Sequence, residues 1–404
     1  MAHQYSHTIN NDLASKLFSK TVIMKICTKC IYDERIKGIS FNADGVCNFC
    51  IQSEALDKQY QPGTQQGEAK LFDLFEKIKA EGKNKQYDCI VGVSGGTDSS
   101  YLLCKAIEWG LRPLAVHYDN TWNTAISTEN IRKITKYCNT DLWTYVIDNK
   151  EADDIFRSFF LAAVPEFDAS TDIGFAQVLR DACAKYKIKY VLEGHSYQAE
   201  GLSPQGSNYF DGKYIADIHK KFGKLPMKTY PNMTFTKFLK SILFTKVQFI
   251  RPLWYLNYNK KDTQEWLEKN TGWQYYGGHH LENMATGFLH TVYNPQKFRI
   301  DNRNWSLAAA ARSGNMKREE ALAIYNTPIR PDPELITYVQ KRLSITKQEY
   351  ETVMANGKKR SWRDFKTYKR RFEIWRPFFF LMAKMNRVPM SFYLKYCFPM
   401  PESK

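Results

Sequence analysis

The sequence has no apolar run long enough to span a membrane and no signal-peptide core near its N-terminus. Acidic residues are scarce as well, with 42 Asp and Glu against 58 Lys and Arg, a formal net charge of +16. The first absence predicts a cytoplasmic protein without a transmembrane segment. The second predicts an anionic partner, such as a nucleotide, a nucleotide sugar, RNA or an acidic membrane surface.

Cysteine is also sparse, with nine residues in 404, but four of the nine follow one pattern. Two Cys-x-x-Cys pairs are separated by sixteen residues, a spacing typical of a closed tetrathiolate zinc site that stabilises a fold. An iron–sulfur cluster is the alternative, since four thiolates suit it too. The predicted ligands are Cys27, Cys30, Cys47 and Cys50.

Two common nucleotide-binding signatures are missing, the Walker loop and Gly-x-Gly-x-x-Gly. A different glycine turn is present instead, between an apolar run at 87–93 and helix-like spacing at 101–107. Its glycines allow positive φ, and the start of the helix binds anions. Asp98 would repel a bare anion, so Mg²⁺ with a polyphosphate is expected. The predicted pyrophosphate cradle consists of Ser94, Gly95, Gly96, Thr97, Asp98, Ser99 and Ser100, and it resembles the PP-loop of the ATP pyrophosphatases.

Strand and helix patterns alternate after this turn, with strands expected at 111–119, 141–148 and 189–195 and a helix at 126–137. This alternation predicts an α/β fold with a parallel sheet and helices on both faces. Ligands of such sheets lie beyond the carboxyl ends of the strands. His117, Asp119 and Gly194 are therefore expected near the nucleotide. Asp172 and Glu200 are candidates for Mg²⁺ or substrate contact, with a helix cap or a solvated carboxylate as the alternative.

Composition changes along the chain predict five regions. These are an N-terminal extension at 1–23, a Cys₄ zinc-binding segment at 24–66, and a nucleotide-binding domain at 67–260 with an insertion at 203–246. A substrate or partner region at 261–330 and a basic helical tail at 331–404 complete the list.

The region after 272 has further polar candidates. His279, His280 and Glu282 follow two glycines, and they suit acid–base work, sugar orientation or metal binding. The alternative is a polar surface turn. A second group suits recognition of a substrate phosphate, with a solvated charged face as the alternative, and consists of Lys297, Arg299, Asp301 and Arg303.

The basic tail has 13 Lys or Arg against three acids between Lys358 and Lys404, interleaved with aromatic residues. This composition suits nucleic acid or an acidic membrane surface. The interpretation we favour is a helical tail that docks on its own domain or on a partner subunit.

Taken in order, the two Cys-x-x-Cys pairs, the 94–99 turn, 193–201, 276–282 and 297–303 resemble the N-acetyl sugar amidotransferases of bacterial surface-polysaccharide biosynthesis. The resemblance implies a PP-loop ATP pyrophosphatase (HUP-like) fold. It also implies that ATP activates the acetamido group of a nucleotide sugar, and that ammonia then displaces AMP to leave an acetamidino group. By the same resemblance, His280 and Glu282 would lie near the sugar or the attacking ammonia. Together with the residue pattern above, this makes Asp98, His280, Glu282 and Asp172 the catalytic candidates and Glu200 a candidate for substrate binding.

The sequence has no glutaminase signature. The resemblance therefore implies that ammonia comes from a separate glutaminase subunit, together with a barrel subunit like the histidine-pathway synthase. Two competing hypotheses remain, namely a PP-loop tRNA thiolase with Cys183 as its only candidate nucleophile and a zinc-bearing scaffold that merely binds nucleotide. The first is disfavoured, since Cys183 has the pattern of a buried core residue.

Overall fold

The computed structural model describes residues 24–202, 208–278, 280–356 and 358–399, so the predicted extension 1–23 and His279 lie outside the described residues. The strands are β1 (Cys89–Gly92), β2 (Pro113–Asp119), β3 (Leu142–Val146), β4 (Tyr190–Leu192) and β5 (Gln248–Ile250). They form one sheet in the order β3-β2-β1-β4-β5, and each neighbouring pair is parallel. The predicted parallel α/β sheet is confirmed.

Helices connect the strands and continue to the C-terminal region. In the described residues the first nine are α1 (Asn48–Tyr60), α2 (Gln65–Gly82), α3 (Thr97–Glu108), α4 (Ala125–Tyr137), α5 (Asn149–Ala162), α6 (Ala169–Tyr186), α7 (Gly212–Phe222), α8 (Phe235–Lys240) and α9 (Lys260–Thr271). The C-terminal ones are α10 (Met284–Phe288), α11 (Arg303–Ser313), α12 (Arg318–Asn326), α13 (Pro333–Arg342), α14 (Lys347–Glu351), α15 (Lys369–Ile374), α16 (Arg376–Lys384) and α17 (Met390–Tyr396). π-Helical turns span Ser241–Thr245, Leu289–Phe298 and Thr352–Asn356, and 3₁₀ turns span Pro252–Tyr255 and Trp362–Asp364.

Both faces of the sheet are covered because consecutive strand residues point to opposite sides. On β1, Ile90 packs with α5, α6 and α7, whereas Cys89 and Val91 pack with α2, α3 and α4. All three β1 residues are fully buried, as expected for a strand with helices on either side. None of the helices in the described ranges is long and apolar enough to cross a membrane.

The sequence patterns missed several elements and placed others differently. Strand β5 was not predicted, because three residues are too few to show a period. Helix α5 was not predicted either, although its apolar residues have helical spacing. The described part of the insertion at 203–246 contributes α7 and α8, and Tyr214, Ile215 and Ile218 of α7 belong to the main core. The segment between the zinc-binding region and the next domain is short, since α1 ends at Tyr60 and α2 begins at Gln65.

The basic tail folds back onto its own chain. Phe372 of α15 and Phe379 of α16 are buried together with Phe235 and Phe238 of α8. The stacked rings of Phe238 and Phe379 have centroids 6.1 Å apart. The tail and the insertion thus share one aromatic core.

The strand register brings three loops to the same edge of the sheet. Val91 of β1 pairs with Ala115 of β2 on one side and with Leu192 of β4 on the other. The chain order reverses between β1 and β4, and ligands of open α/β sheets bind at such a point.

Candidate active site

The loop after β1 makes the tight turn that its glycines predict. Gly95 has φ +78°, and a Cβ atom built there would lie 2.2 Å from the carbonyl oxygen of Ser127. The Gly95 carbonyl oxygen accepts hydrogen bonds from Trp273 Nε1 at 2.9 Å and Asn130 Nδ2 at 3.2 Å. Only glycine therefore fits at the centre of this turn.

Helix α3 starts directly after the turn and directs its N-terminus at the edge of the sheet. Its N-cap, Gly96, has no side chain to occupy the first N–H groups. Ser94 N–H donates to Ser99 Oγ at 3.3 Å, and Thr97 N–H faces the Tyr276 hydroxyl at 3.3 Å. Such N–H groups at the positive end of a helix dipole suit phosphate. Ser100 is buried behind them.

Asp98 lies in the first turn of α3, within a polar cluster. Lys260 Nζ donates to Asp98 Oδ2 at 2.9 Å, and the Tyr258 hydroxyl donates to Oδ1. Burial raises the pKa of Asp98, but the charge of Lys260 and these hydrogen bonds more than offset that effect and keep the pKa below its usual value. Asp98 is therefore a carboxylate, the form that Mg²⁺ requires.

Glu200 brings a second carboxylate to Asp98. The loop after β4 can approach α3 because it contains Gly194, where a Cβ atom would lie 3.0 Å from backbone atoms of Asp98 and Ser99. Burial and the charge of Asp98 raise the pKa of Glu200 to about 7. Two neighbouring carboxylates favour a shared cation, so these residues fit a divalent ion such as Mg²⁺.

His195 lies on the far side of Glu200. Its Nδ1 accepts a hydrogen bond from Trp254 Nε1 at 3.2 Å, and its Nε2 is 3.9 Å from Glu200 Oε2. Burial and the positive charge of Arg251 lower the pKa of His195 to about 3. The ring is therefore neutral, with its proton on the nitrogen next to Glu200.

His280 and Glu282 form the opposite wall of the cleft. His280 Nδ1 is 3.5 Å from Glu282 Oε1, and that same oxygen is 3.2 Å from the place of a Gly96 Cβ atom. Burial lowers the pKa of His280, but the Glu282 carboxylate raises it, with a net value of about 9. Within the described residues, the buried Glu282 Oε2 has no hydrogen-bond partner. The pair is thus an imidazolium and a carboxylate with one unused acceptor beside the glycine turn.

Two further carboxylates belong to this group. Asp172 is in the first turn of α6, where partial desolvation raises its pKa against the opposing charge of His280. Asp168 is the N-cap residue of the same helix. Burial and the neighbouring Asp172 raise the pKa of Asp168 to about 7. His280 therefore interacts with carboxylates from three segments.

The two candidate residues on β2, His117 and Asp119, form hydrogen bonds with backbone groups. His117 Nδ1 donates to the Val93 carbonyl oxygen at 2.8 Å, because its Nε2 accepts from Asn123 Nδ2. Burial lowers the pKa of His117, so it is a neutral support under the glycine turn. Asp119 accepts a hydrogen bond from the Thr121 N–H at 2.7 Å, as a residue that caps the end of a strand does.

The contacts of the basic group at 297–303 lie away from the glycine turn. Lys297 is buried and donates to the Val353 carbonyl oxygen, and Arg303 pairs with Asp301 at 2.7 Å and donates to the carbonyl oxygens of Tyr325 and Thr327 at the end of α12. Arg299 is exposed. A role for these residues in substrate binding stays a prediction, and their contacts favour a role in packing.

The four paired cysteines form one compact group in the described chain. All are buried, and their sulfur atoms lie within 4.8 Å of one another. The Cys27–Cys50 and Cys30–Cys47 sulfur distances are both 3.8 Å, which is the edge of a tetrahedron whose corners are about 2.3 Å from a central zinc ion. An iron–sulfur cluster would place several iron ions between its thiolates. The spacing therefore fits a single zinc ion.

This cysteine segment also contacts the loop that carries Glu200. Arg318 of α12 donates to the carbonyl oxygens of Cys27 and Cys30, and Ser313 at the end of α11 donates to the Gln198 carbonyl oxygen. On the other side, the Tyr197 hydroxyl donates to Asp57 of α1 at 2.6 Å. The loop at 194–201 is thus held between α1 and α11.

Comparison with known proteins identifies the C-terminal part of the chain. Residues 282–381 match the family described as "LPS biosynthesis protein WbpG-like, C-terminal domain". The matched segment begins at Glu282 of the cleft and continues into the tail helices. The match agrees with the resemblance to proteins of bacterial surface-polysaccharide biosynthesis that the motif order indicated. No match was found among curated proteins.

The solved structures similar to this chain include two synthetases. The NMN synthetase from Francisella tularensis has 12% identity and a TM-score of 0.31, over 70% of this chain and 93% of the synthetase. The NH3-dependent NAD synthetase from Campylobacter jejuni subsp. jejuni has 14% identity and a TM-score of 0.27, over 70% and 95%. Both TM-scores are low, so the likenesses carry no argument about function.

Proposed function

We propose that this chain, which carries a WbpG-like C-terminal domain, is an ATP-dependent amidotransferase that converts an acetamido group of a nucleotide-linked sugar to an acetamidino group. The observation that supports the proposal is the arrangement of the cleft. A pyrophosphate cradle and the Asp98–Glu200 pair lie on one side, and the His280–Glu282 pair lies on the other, close to Gly96. ATP and an amide substrate can therefore meet between the two walls.

The first step is activation of the amide. The N–H groups at the start of α3 would hold the β and γ phosphates, and Asp98 and Glu200 would hold a Mg²⁺ ion, whose charge would offset that of the phosphates. The acetamido oxygen attacks the α phosphorus, an O–P bond forms, and the bond to the β-phosphate oxygen breaks. Pyrophosphate leaves, and the amide is now an O-adenylyl imidate.

The second step is attack by ammonia on the imidate carbon. The C–N bond forms, the C–O bond breaks, and AMP leaves. One of the three ammonia protons passes to Glu282 Oε2, the acceptor without a hydrogen-bond partner in the described chain. The other two stay on the amidinium product. The positively charged His280 stabilises the developing charge on the leaving AMP.

Ammonia is proposed to come from a separate glutaminase subunit, delivered with the help of a synthase-like barrel subunit. The support for this is the missing glutaminase signature in the sequence. The test is to compare glutamine plus a candidate glutaminase with free ammonium as the nitrogen source. If free ammonium and glutamine alone serve equally well without another protein, the partner proposal is wrong.

The surroundings of Cys183 argue against the thiolase alternative, which requires a reactive cysteine. Cys183 is fully buried on α6, and burial raises the pKa of its thiol to about 12. A thiol in such surroundings is inert at neutral pH. All nine cysteines of the chain are buried, so no other one replaces it.

The central test is mass spectrometry of a panel of di-N-acetylated nucleotide sugars incubated with the protein, ATP, Mg²⁺ and concentrated ammonium. We expect AMP and product in equal amounts, with one oxygen of the product replaced by NH. D98N should abolish both products, whereas D262N, an exposed carboxylate in the first turn of α9, should not.

E282Q separates the two steps. Loss of a general base costs about 10²- to 10⁴-fold in rate, so amidine formation should fall by that factor while sugar-dependent exchange of pyrophosphate into ATP continues. The proposal fails if no sugar changes while bulk tRNA stimulates pyrophosphate release. It also fails if ATP is never cleaved, which is the outcome expected of a scaffold.

A further inference from the structure

A cavity of about 440 Å³ lies beside the candidate active site, between α6, β5 and the tail helices. Eight of its lining residues are Phe or Tyr, from the insertion, β5 and the tail. Asp172 lines the cavity as well, and it interacts electrostatically with His280. The cavity therefore adjoins the catalytic cleft.

Arg180 of α6 gives the cavity an anion-binding group. Arg180 is only 7% exposed. Its guanidinium lies between the rings of Phe238 and Phe249, 5.2 Å and 4.8 Å from their centroids. Its Nη1 donates to Ser241 Oγ at 3.0 Å, whereas its Nε has no hydrogen-bond partner within the described residues. A buried cation with an unused donor is costly unless an anion joins it.

The other charged side chains around the cavity do not supply the anion that Arg180 requires. Arg251 also lines it and donates to Glu193 Oε2 at 2.8 Å, so the one carboxylate near both arginines is already paired. Asp211 caps α7 through the N–H groups of Lys213 and Tyr214. Two arginines thus line the cavity together with three carboxylates, Asp172, Glu193 and Asp211. Each of these carboxylates interacts with a group other than Arg180, namely His280, Arg251 and the N-terminal N–H groups of α7.

We propose that this cavity binds the nucleoside diphosphate carrier of the sugar substrate, with a phosphate at Arg180 and the base among the aromatic rings. The proposal rests on the function proposed above, because the sugar would then extend past Asp172 to His280. Aromatic side chains stack on bases of any identity, and Arg suits phosphate. A volume of 440 Å³ is within the range of about 300–1,000 Å³ for pockets that enclose a ligand of this size. A long polyprenyl chain would need a larger apolar channel.

The test measures binding of UDP and dTDP by calorimetry without ATP, so that it is independent of turnover. R180M should weaken binding by about tenfold or more, because a charge-assisted hydrogen bond is lost. The thermal stability of R180M should stay equal or rise, because a buried unpaired charge has been removed. A176F should block the cavity, since Ala176 lines it, whereas A184F, at an exposed position on the same helix, should bind like the wild type.

D98N separates this inference from the proposed function, since it should bind UDP normally. Amidine formation with no detectable UDP or dTDP binding would overturn the cavity assignment and leave the amidotransferase in place. Binding at the cavity without AMP formation from any sugar would support the cavity assignment and overturn the amidotransferase proposal. The assignment is also wrong if R180M and A176F bind like the wild type, or if farnesyl diphosphate binds to the wild type and the two nucleotides do not.

Discussion

Lys260 is the residue whose removal tests the electrostatics of the cleft most directly. Its ammonium is 2.9 Å from Asp98, and the two side chains are only 24% and 13% exposed. In K260M the Asp98 and Glu200 carboxylates would be left together without their cation. Removing one partner of a buried ion pair costs about 3–5 kcal/mol, and the partial exposure of Lys260 favours about 3 kcal/mol.

The pH dependence of this loss follows from the carboxylates. The charge of Asp98 contributes to raising the pKa of Glu200 to about 7, and without Lys260 that pKa should rise further. Below that pKa, protonation of Glu200 removes its repulsion with Asp98, whereas above it both carboxylates are charged. We therefore expect K260M to lose more stability at pH 8.5 than at pH 6, and to regain part of it with Mg²⁺.

The assay is urea unfolding of wild type and K260M at both pH values, with and without Mg²⁺. K261M is the matched control, because the neighbouring Lys261 side chain is exposed and its removal should change stability by less than about 0.5 kcal/mol. The reasoning is refuted if K260M is as stable as K261M at pH 8.5, or if its loss is larger at pH 6.

Three other predictions concern the remaining assignments. Amidine formation should rise as Glu200 loses its proton near pH 7 and fall as His280 loses its proton near pH 9, giving a bell-shaped pH–rate profile; a profile flat from pH 6 to 10 would contradict both roles. C47S should lose bound zinc by elemental analysis and unfold at a lower temperature, whereas C138S, a buried cysteine outside the cluster, should keep its zinc. K297M should leave the KM for the sugar within about twofold, since the Lys297 ammonium donates to a backbone carbonyl; a tenfold increase in KM would restore the substrate-binding role that the sequence suggested.

Local patterns predicted those parts of the molecule that lie within a few residues of one another. The glycine turn with Asp98 and the cysteine pairs each have a short signature whose chemistry depends on spacing alone. The buried strands were recognisable as apolar runs, although β5 was too short to show a period. The tail was expected to dock, and its aromatic residues do pack on α8.

The cleft itself brings together residues that the sequence does not link. Lys260 is 162 positions from Asp98, and the nearest signal is only the Asn259 cap that begins α9. Asp168 was passed over because it precedes a helix like an ordinary cap residue. The basic group at 297–303 was predicted to bind a substrate because its residues are charged, yet Lys297 is buried. These roles depend on which side chains contact one another in the folded chain, and the spacing of residues along the sequence does not give those contacts.

The zinc segment also has a consequence for the order in which the molecule is made. Its cysteines are synthesised early, yet the surfaces they pack on are Leu307 and Ala321 of α11 and α12. The Arg318–Cys27 hydrogen bond spans 291 positions. During translation the cysteine segment must therefore remain undocked until α11 and α12 have been synthesised. If the four cysteines bind zinc in that interval, the ion would keep their thiols from oxidation, so metal supply should affect the yield of folded protein more than the activity of the folded protein.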